Sequence, residues 1–384
     1  MPVPQFIEPK EIYWFHRCSF LETVGYRLRP KFHPGFVATQ PSSKFRFEDE
    51  LTPVHARRHI MDAERISDGK HVMLKCISKS LHPFEVEIAT FFGSPPLVDS
   101  PRNHVIPVLE VLQDPGDADR QILVMPRLME FDRPIFDTVG EVIDCFRQIF
   151  EGIQFMHENF VAHRDCGLLN FVLDPEKLFP HGTHPINVWA TPTNDALAYH
   201  THRTACWPRY YIIDFGLSRR YDPANGPPLE DVIRGADKSP PEHRGTSCNP
   251  FPTDIYFLGN MLREDFLQSH FTGLVSNHAP LRFLKPLIND MIQTDPALRP
   301  TIGEVIQRFD ARCARLSRWH LRRPGQAHDL SGWIDNRLRQ IKNSFNGVPP
   351  LPARSPTRPF TQLDDTMRSF YTKTPGHWRT RDSR

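Results

Sequence analysis

The string VAHRDCGLLNFVLD gathers polar groups whose spacing suits phosphoryl chemistry: His163-Arg164-Asp165, then Asn170 five positions after the aspartate, then an apolar strand. A carboxylate in that place can accept a hydroxyl proton, and an amide oxygen five residues on can ligate Mg2+. Further along, another strand ends in Asp214-Phe215-Gly216, where a carboxylate can chelate the Mg2+ that bridges β- and γ-phosphates. Upstream, Lys75 closes the segment VMLK, and its charge can pair phosphate oxygens and a helix carboxylate. HRD or DFG alone is a cheap coincidence. Four such groups in this order, each in a strand or loop context, are not.

The elements that must position these groups are legible in the pattern. HIMDAERIS and KHVMLKCIS flank Asp68-Gly69 and predict a hairpin. PFEVEIATFF (83–92) opens with proline and predicts a short amphipathic helix. VIPVLEVL (105–112) and QILVMP (121–126) read as two more strands. From 139 to 159 the stripe Val142, Ile143, Phe146, Ile149, Phe150, Ile153 and Met156 has helical period. Two short strands follow at 168–174 and 210–214, separated by a Pro/His/Thr-rich insertion at 175–209, and beyond 250 three segments have helical spacing. No repeat is visible.

The 384 residues include 38 prolines, about twice the ordinary ~5% share, which predicts long irregular stretches beside the folded elements. Residues 322–384 carry 12 Lys/Arg against 5 Asp/Glu, whereas residues 1–321 carry 35 against 40. A mildly acidic body with a basic tail argues against a nucleic-acid reader, which concentrates cations on its folded face. Seven scattered cysteines without a CxxC pair read as reduced thiols of an intracellular protein, cytoplasmic or nuclear. The absence of a long apolar run predicts no secretion signal and no membrane span.

On these motifs the chain resembles the eukaryotic protein kinases, and most closely a divergent fungal group of protein-kinase-like domains, over roughly residues 55–315. The resemblance implies a bilobal α+β fold with a small antiparallel β lobe carrying one helix and a large, mainly α lobe. It divides the chain into an irregular N-terminal extension (1–50), an N-lobe (51–126), a C-lobe (127–321, with the 175–209 insertion) and a basic, Pro-rich disordered tail (322–384). It makes Asp165 the catalytic base, Asn170 and Asp214 the Mg2+ ligands, and Lys75 the phosphate-holding lysine. Glu85 would be the partner of Lys75, with Glu87 its rival. ATP would lie against Met125, the backbone of Arg127 and Leu128, and Val172. Glu242 and Arg299 would form a structural ion pair, and Asp254 would bond the catalytic loop. The implied reaction is transfer of the ATP γ-phosphoryl group to a Ser/Thr hydroxyl of a protein.

Three features depart from the kinase pattern. No glycine lies between Leu51 and Asp68, Gly167 stands where serine/threonine kinases keep a lysine, and Met73 replaces a small residue two before Lys75. With the base and metal ligands retained, these changes predict a slow or narrowly specific kinase. The alternatives are a pseudokinase scaffold and a small-molecule phosphotransferase. In the activation segment (214–242), Ser218, Ser239 and Tyr221 are the hydroxyl acceptors, and Glu230 and Asp231 are candidates for standing negative charge facing Arg164. Cys166 reads as a small apolar filler, and His181, His184, His200 and His202 as solvated loop.

Overall fold

The computed structural model describes residues 3, 4, 6–37, 59–233, 235–268, 279–323, 330–353, 368 and 371. The chain forms two compact units. One holds Met1–Ser94, Ile106–Met129 and Asp174–Thr201, and the other Pro95–Val105, Glu130–Leu173 and His202–Arg384.

The first unit is built on an antiparallel sheet in the order β1-β2-β3-β5-β4, with β1 at Tyr26–Arg27, β2 at Ile60–Arg65, β3 at Lys70–Ser78, β4 at Glu110–Gln113 and β5 at Arg120–Pro126. The β2–β3 hairpin turns at Asp68-Gly69, where Gly69 takes φ +70° and Arg65 donates to the Asp68 carboxylate. The expected strand at 105–112 shrinks to β4. Pro107 has no N–H to give a ladder, and Val105 bridges Ile212 within the second unit.

The N-terminal segment, expected to be irregular, is ordered where described. Two short helices, α1 (Ile12–Phe15) and α2 (Cys18–Thr23), precede β1. Trp14, Leu21, Tyr26 and Phe32 join one buried cluster with Val72 and Leu74 of β3 and Ile122 and Val124 of β5. Alternate apolar residues on two adjacent strands make a sheet face that needs cover, and these helices supply it. The polar anchors are specific. Lys31 pairs with Glu11 at 2.6 Å, fully buried, and Tyr13 donates to Asp114 at 2.7 Å. The hairpin is followed by α3 (Glu85–Phe92), whose buried stripe is Glu85, Ile88, Ala89 and Phe92.

The insertion also differs from a solvated loop. Residues 174–201 belong to the first unit, with Leu178, Phe179, Ala190 and His184 buried. The Arg127 guanidinium donates to Thr183 Oγ1 at 3.1 Å and to the His184 carbonyl at 2.7 Å.

In the second unit, α4 (Val139–Glu158) starts at a capping box in which Thr138 Oγ1 accepts from the Glu141 amide and Glu141 reaches back to the Thr138 amide. Its predicted apolar stripe is buried throughout. Strands Phe171–Leu173 and Tyr210–Ile212 pair antiparallel, and helices Pro250–Met261, Lys285–Met291 and Ile302–Cys313 complete the mainly α body. The region read as a disordered tail contains a helix, Leu330–Phe345. Asp137 pins it, accepting from Arg339 at 2.6 Å and from Asn336 through its carbonyl at 2.9 Å.

Candidate functional site

In the first unit, Lys75 lies in β3 and pairs with Glu85 of α3, both buried. Glu87 is exposed. The choice follows from the helix: Glu85 shares the stripe 85, 88, 89, 92 that packs inward, and Glu87 does not. Across the β2–β3 ladder Ile60 faces Lys75, Asp62 faces Met73 and Glu64 faces His71, so these six side chains share one sheet face. A cavity of about 630 Å³ opens beside Asp62, Glu64 and His71, with Arg29 and, from the insertion, Pro185 on its wall. Sequence reasoning missed Asp62, which brings a buried anion to this face, 3.4 Å from Arg29 Nε. Burial, reinforced by the charge of Arg127, holds the His71 imidazole below its ordinary value. Met125, at the end of β5, pairs with Met73 and is buried, while Arg127 and Leu128 follow half-buried.

In the second unit, Asp165 is gripped from three sides. Asn170 Nδ2 donates to its carbonyl at 2.8 Å and to Oδ2 at 3.0 Å, and the Ala236 amide donates to Oδ1 at 2.9 Å. Ala236 and Gly235 belong to the stretch 214–242 that the resemblance reads as an activation segment, and nothing local in the sequence signals this contact. Phe171 pairs with Ile212, and the Ile213 amide donates to the Asn170 carbonyl at 3.0 Å. That register sets Asn170 and Asp214 at the same end of the two-strand ladder. Val172 faces Tyr211 in that ladder. Asp214 (φ +69°) and Arg164 (φ +70°) adopt the left-handed region, a strain that persists where surrounding bonds over-determine it. Those bonds are present. His163 Nε2 donates to the Ile213 carbonyl at 3.0 Å while Nδ1 accepts from the Asp165 amide at 3.2 Å, and Phe215 is buried against the His163 ring.

Beneath this loop lies Asp254, fully buried. It accepts from the backbone amides of His163 at 2.8 Å and Arg164 at 2.7 Å, and from His157 Nε2 at 3.0 Å. Arg164 donates to the Asp231 carbonyl at 2.9 Å and lies 3.6 Å from the Glu230 carboxylate. Arg299 grips Glu242 through two bonds of 2.6 and 2.7 Å, wholly out of solvent. Burial would raise the Glu242 carboxyl, but Arg299 outweighs it and holds the group below its ordinary range. Burial, aided by the Asp254 and Asp165 charges, pushes the Cys166 thiol well up, as a filler rather than a nucleophile requires. None of the seven cysteines is in a disulfide. Among the described residues, no group of His, Cys, Asp and Glu could by itself hold a metal ion, and no helix is long and apolar enough to cross a membrane.

No family model matches the chain. Over 125 residues it is 30% identical to the serine/threonine-protein kinase CAK1 of Saccharomyces cerevisiae, a stretch covering 30% of this chain and 26% of that protein. Over 165 residues it is 28% identical to NUAK family SNF1-like kinase 2 of Rattus norvegicus, covering 41% and 21%. Over 174 residues it is 25% identical to NUAK family SNF1-like kinase 1 of Mus musculus, covering 41% and 20%. The chain thus spans about a fifth to a quarter of the length of these relatives. The α+β architecture is consistent with these partial similarities to serine/threonine kinases, which support a kinase-like protein.

Proposed function

We propose that the chain is a protein kinase that moves the γ-phosphoryl group of ATP to a serine or threonine hydroxyl of a protein in the presence of Mg2+. The observation that carries this reading is the Asp165 carboxylate, oriented by Asn170 and the Ala236 amide in a loop whose backbone is bonded to buried Asp254. As the acceptor oxygen bonds to phosphorus and the bond to ADP breaks, the hydroxyl proton passes to Asp165. Such a base is worth ~10²–10⁴-fold. Asn170 has its amide nitrogen engaged by Asp165, so its carbonyl oxygen is the ligand atom, and Asp214 adds a carboxylate. Two hard oxygens suit Mg2+, which when bound neutralises charge on the phosphate oxygens. Lys75, fixed by Glu85, supplies a cation to the phosphates. Met125, the backbone of Arg127 and Leu128, and Val172 take the adenine. Protein substrate, ATP and a cytoplasmic or nuclear site of action belong to the same reading.

A second reading, a nucleotide-binding scaffold without efficient transfer, is favoured by one observation: both Asp165 carboxylate oxygens already accept hydrogen bonds within the chain. Thermal-shift titration with ATP, with and without Mg2+, and transfer of labelled phosphate to mixed protein substrates separate the two. Kinase activity predicts Mg2+-dependent transfer lost in Asp165→Asn. Nucleotide binding with transfer no faster than in that variant supports the scaffold.

A further inference from the structure

Far from the assigned groups in sequence, Tyr371 is 1% exposed inside the second unit. Its ring lies 5.7 Å from that of His157 and 5.9 Å from that of Phe251. Its hydroxyl bonds His157 Nδ1 and also faces the backbone amide of Ile302, the first residue of helix Ile302–Cys313. Three residues earlier, Arg368 bonds Glu304 in the first turn of that helix. Two points of the tail, one buried and one at the surface, therefore meet one helix N-terminus.

The hydrogen-bond directions follow from chemistry. Asp254 accepts, so His157 Nε2 carries the proton toward it, and in the neutral ring Nδ1 is the acceptor. The Tyr371 hydroxyl must then donate to Nδ1. The series runs from Tyr371 to His157, from His157 to Asp254, and Asp254 receives the amides of His163 and Arg164. Each member is buried, so each unmet partner is costly.

We propose that the C-terminal tail docks within its own chain through Tyr371, and that this tyrosine is a positioning residue, setting the His157–Asp254 pair on which the backbone of the Asp165 loop hangs. The consequence for catalysis rests on the phosphotransfer reading above, whereas docking does not, and the two are measured separately.

Hydrogen–deuterium exchange on the full chain, with trypsin cleavage after Arg368 as a second reading of the tail, tests it. Tyr371→Ala is expected to expose that cleavage site and to speed exchange in residues 161–166 by roughly tenfold, without a comparable change in Lys285–Met291. Tyr371→Phe keeps the ring, so the tail stays protected while exchange at 161–166 still rises severalfold, because His157 loses its donor. Unchanged exchange at 161–166 in both variants overturns the positioning role. Equal tail cleavage in the wild type and Tyr371→Ala overturns docking. Should Tyr371→Ala fail to fold, Tyr371→Phe alone decides. If exchange responds and the wild type transfers phosphate, kcat falls with KM for ATP unchanged. If exchange responds and the wild type transfers none, docking stands and the kinase reading fails.

Discussion

Gly235→Ala is the most discriminating change the structure offers. A Cβ added to Gly235 falls 2.2 Å from Asp165 Oδ1 and 2.8 Å from its Cγ. A carbon and an oxygen without a formal bond sit about 3.3 Å apart at closest. Either the carboxylate or the activation segment must therefore move by about 1 Å. The clash falls on the oxygen that takes the Ala236 bond, so that bond is lost and the carboxylate turns about its remaining Asn170 bond, displaced from its place. A misplacement of about 1 Å at a reacting group costs on the order of 10²-fold, equivalent to ~2.7 kcal/mol of transition-state stabilisation. The glycine is half-buried and its φ is not left-handed, so little global stability is at stake. Initial rates of phosphate transfer against ATP concentration, alongside thermal melting, give the readout. A roughly hundredfold fall in kcat with the melting temperature held is expected. Activity within twofold of wild type would refute the claim that this backbone braces the base, and a faster enzyme would show that the segment blocks it instead.

Gly167→Lys restores the cation that serine/threonine kinases carry in the catalytic loop. A Cβ there meets nothing within 4 Å and φ is −114°, so the side chain fits, and with one electrostatic clamp worth ~10²–10³-fold, kcat should rise at least about tenfold in the same transfer assay. Arg299→Met leaves Glu242 buried and unpaired at a cost of about 3–5 kcal/mol, which should lower the melting temperature by roughly 10 °C, measured by calorimetry. Glu230→Gln weakens a half-exposed pair with Arg164 and should slow transfer about threefold, while Ser239→Ala stays within twofold; a dependence on Ser239 would argue for phosphorylation instead of standing charge. Burial, then Glu264 and Asp237, push Asp265 up to about 6, so the native state binds the proton more tightly than the unfolded chain and stability falls as pH rises from about 4 to 6. Asp265→Asn should raise the melting temperature at pH 7.5 by about 2–4 °C after allowance for its partial exposure, and leave it unchanged at pH 4; equal shifts at both values would exclude the titration.

The parts readable from sequence were those whose geometry is local. The Asp165-to-Asn170 spacing closes a hydrogen bond within six residues, and Asp68-Gly69 fixes a hairpin by turn chemistry alone. Glu85 stood ahead of Glu87 only through the family pattern, and the folded helix separates them by burying 85, 88, 89 and 92 on one stripe. Other features depend on encounters across long stretches of chain. Helices α1 and α2 are too short to show a period, and their burial rests on Trp14 and Leu21 meeting strands fifty or more residues away. Gly235 and Tyr371 carry no local pattern. Each matters because of a partner, Asp165 or His157, that only folding brings near. The insertion misled in part through composition: Pro, His and Thr suggest solvated loop, and His181 is exposed, yet Leu178, Phe179, His184 and Ala190 are buried.

The joining of residues 174–201 to the first unit has a consequence for biosynthesis. That unit is sewn from three stretches, and the last emerges from the ribosome after Leu173, the end of a strand that belongs to the other unit. At ~5–20 residues per second, translation from Met129 to Thr201 takes on the order of 4–15 s, during which Arg127 waits for Thr183 and His184. A nascent fragment ending at Met129 is thus missing part of its own wall, and the first unit can close only after Thr201 has been made, when the stretch Glu130–Leu173 of the second unit is already in the nascent chain.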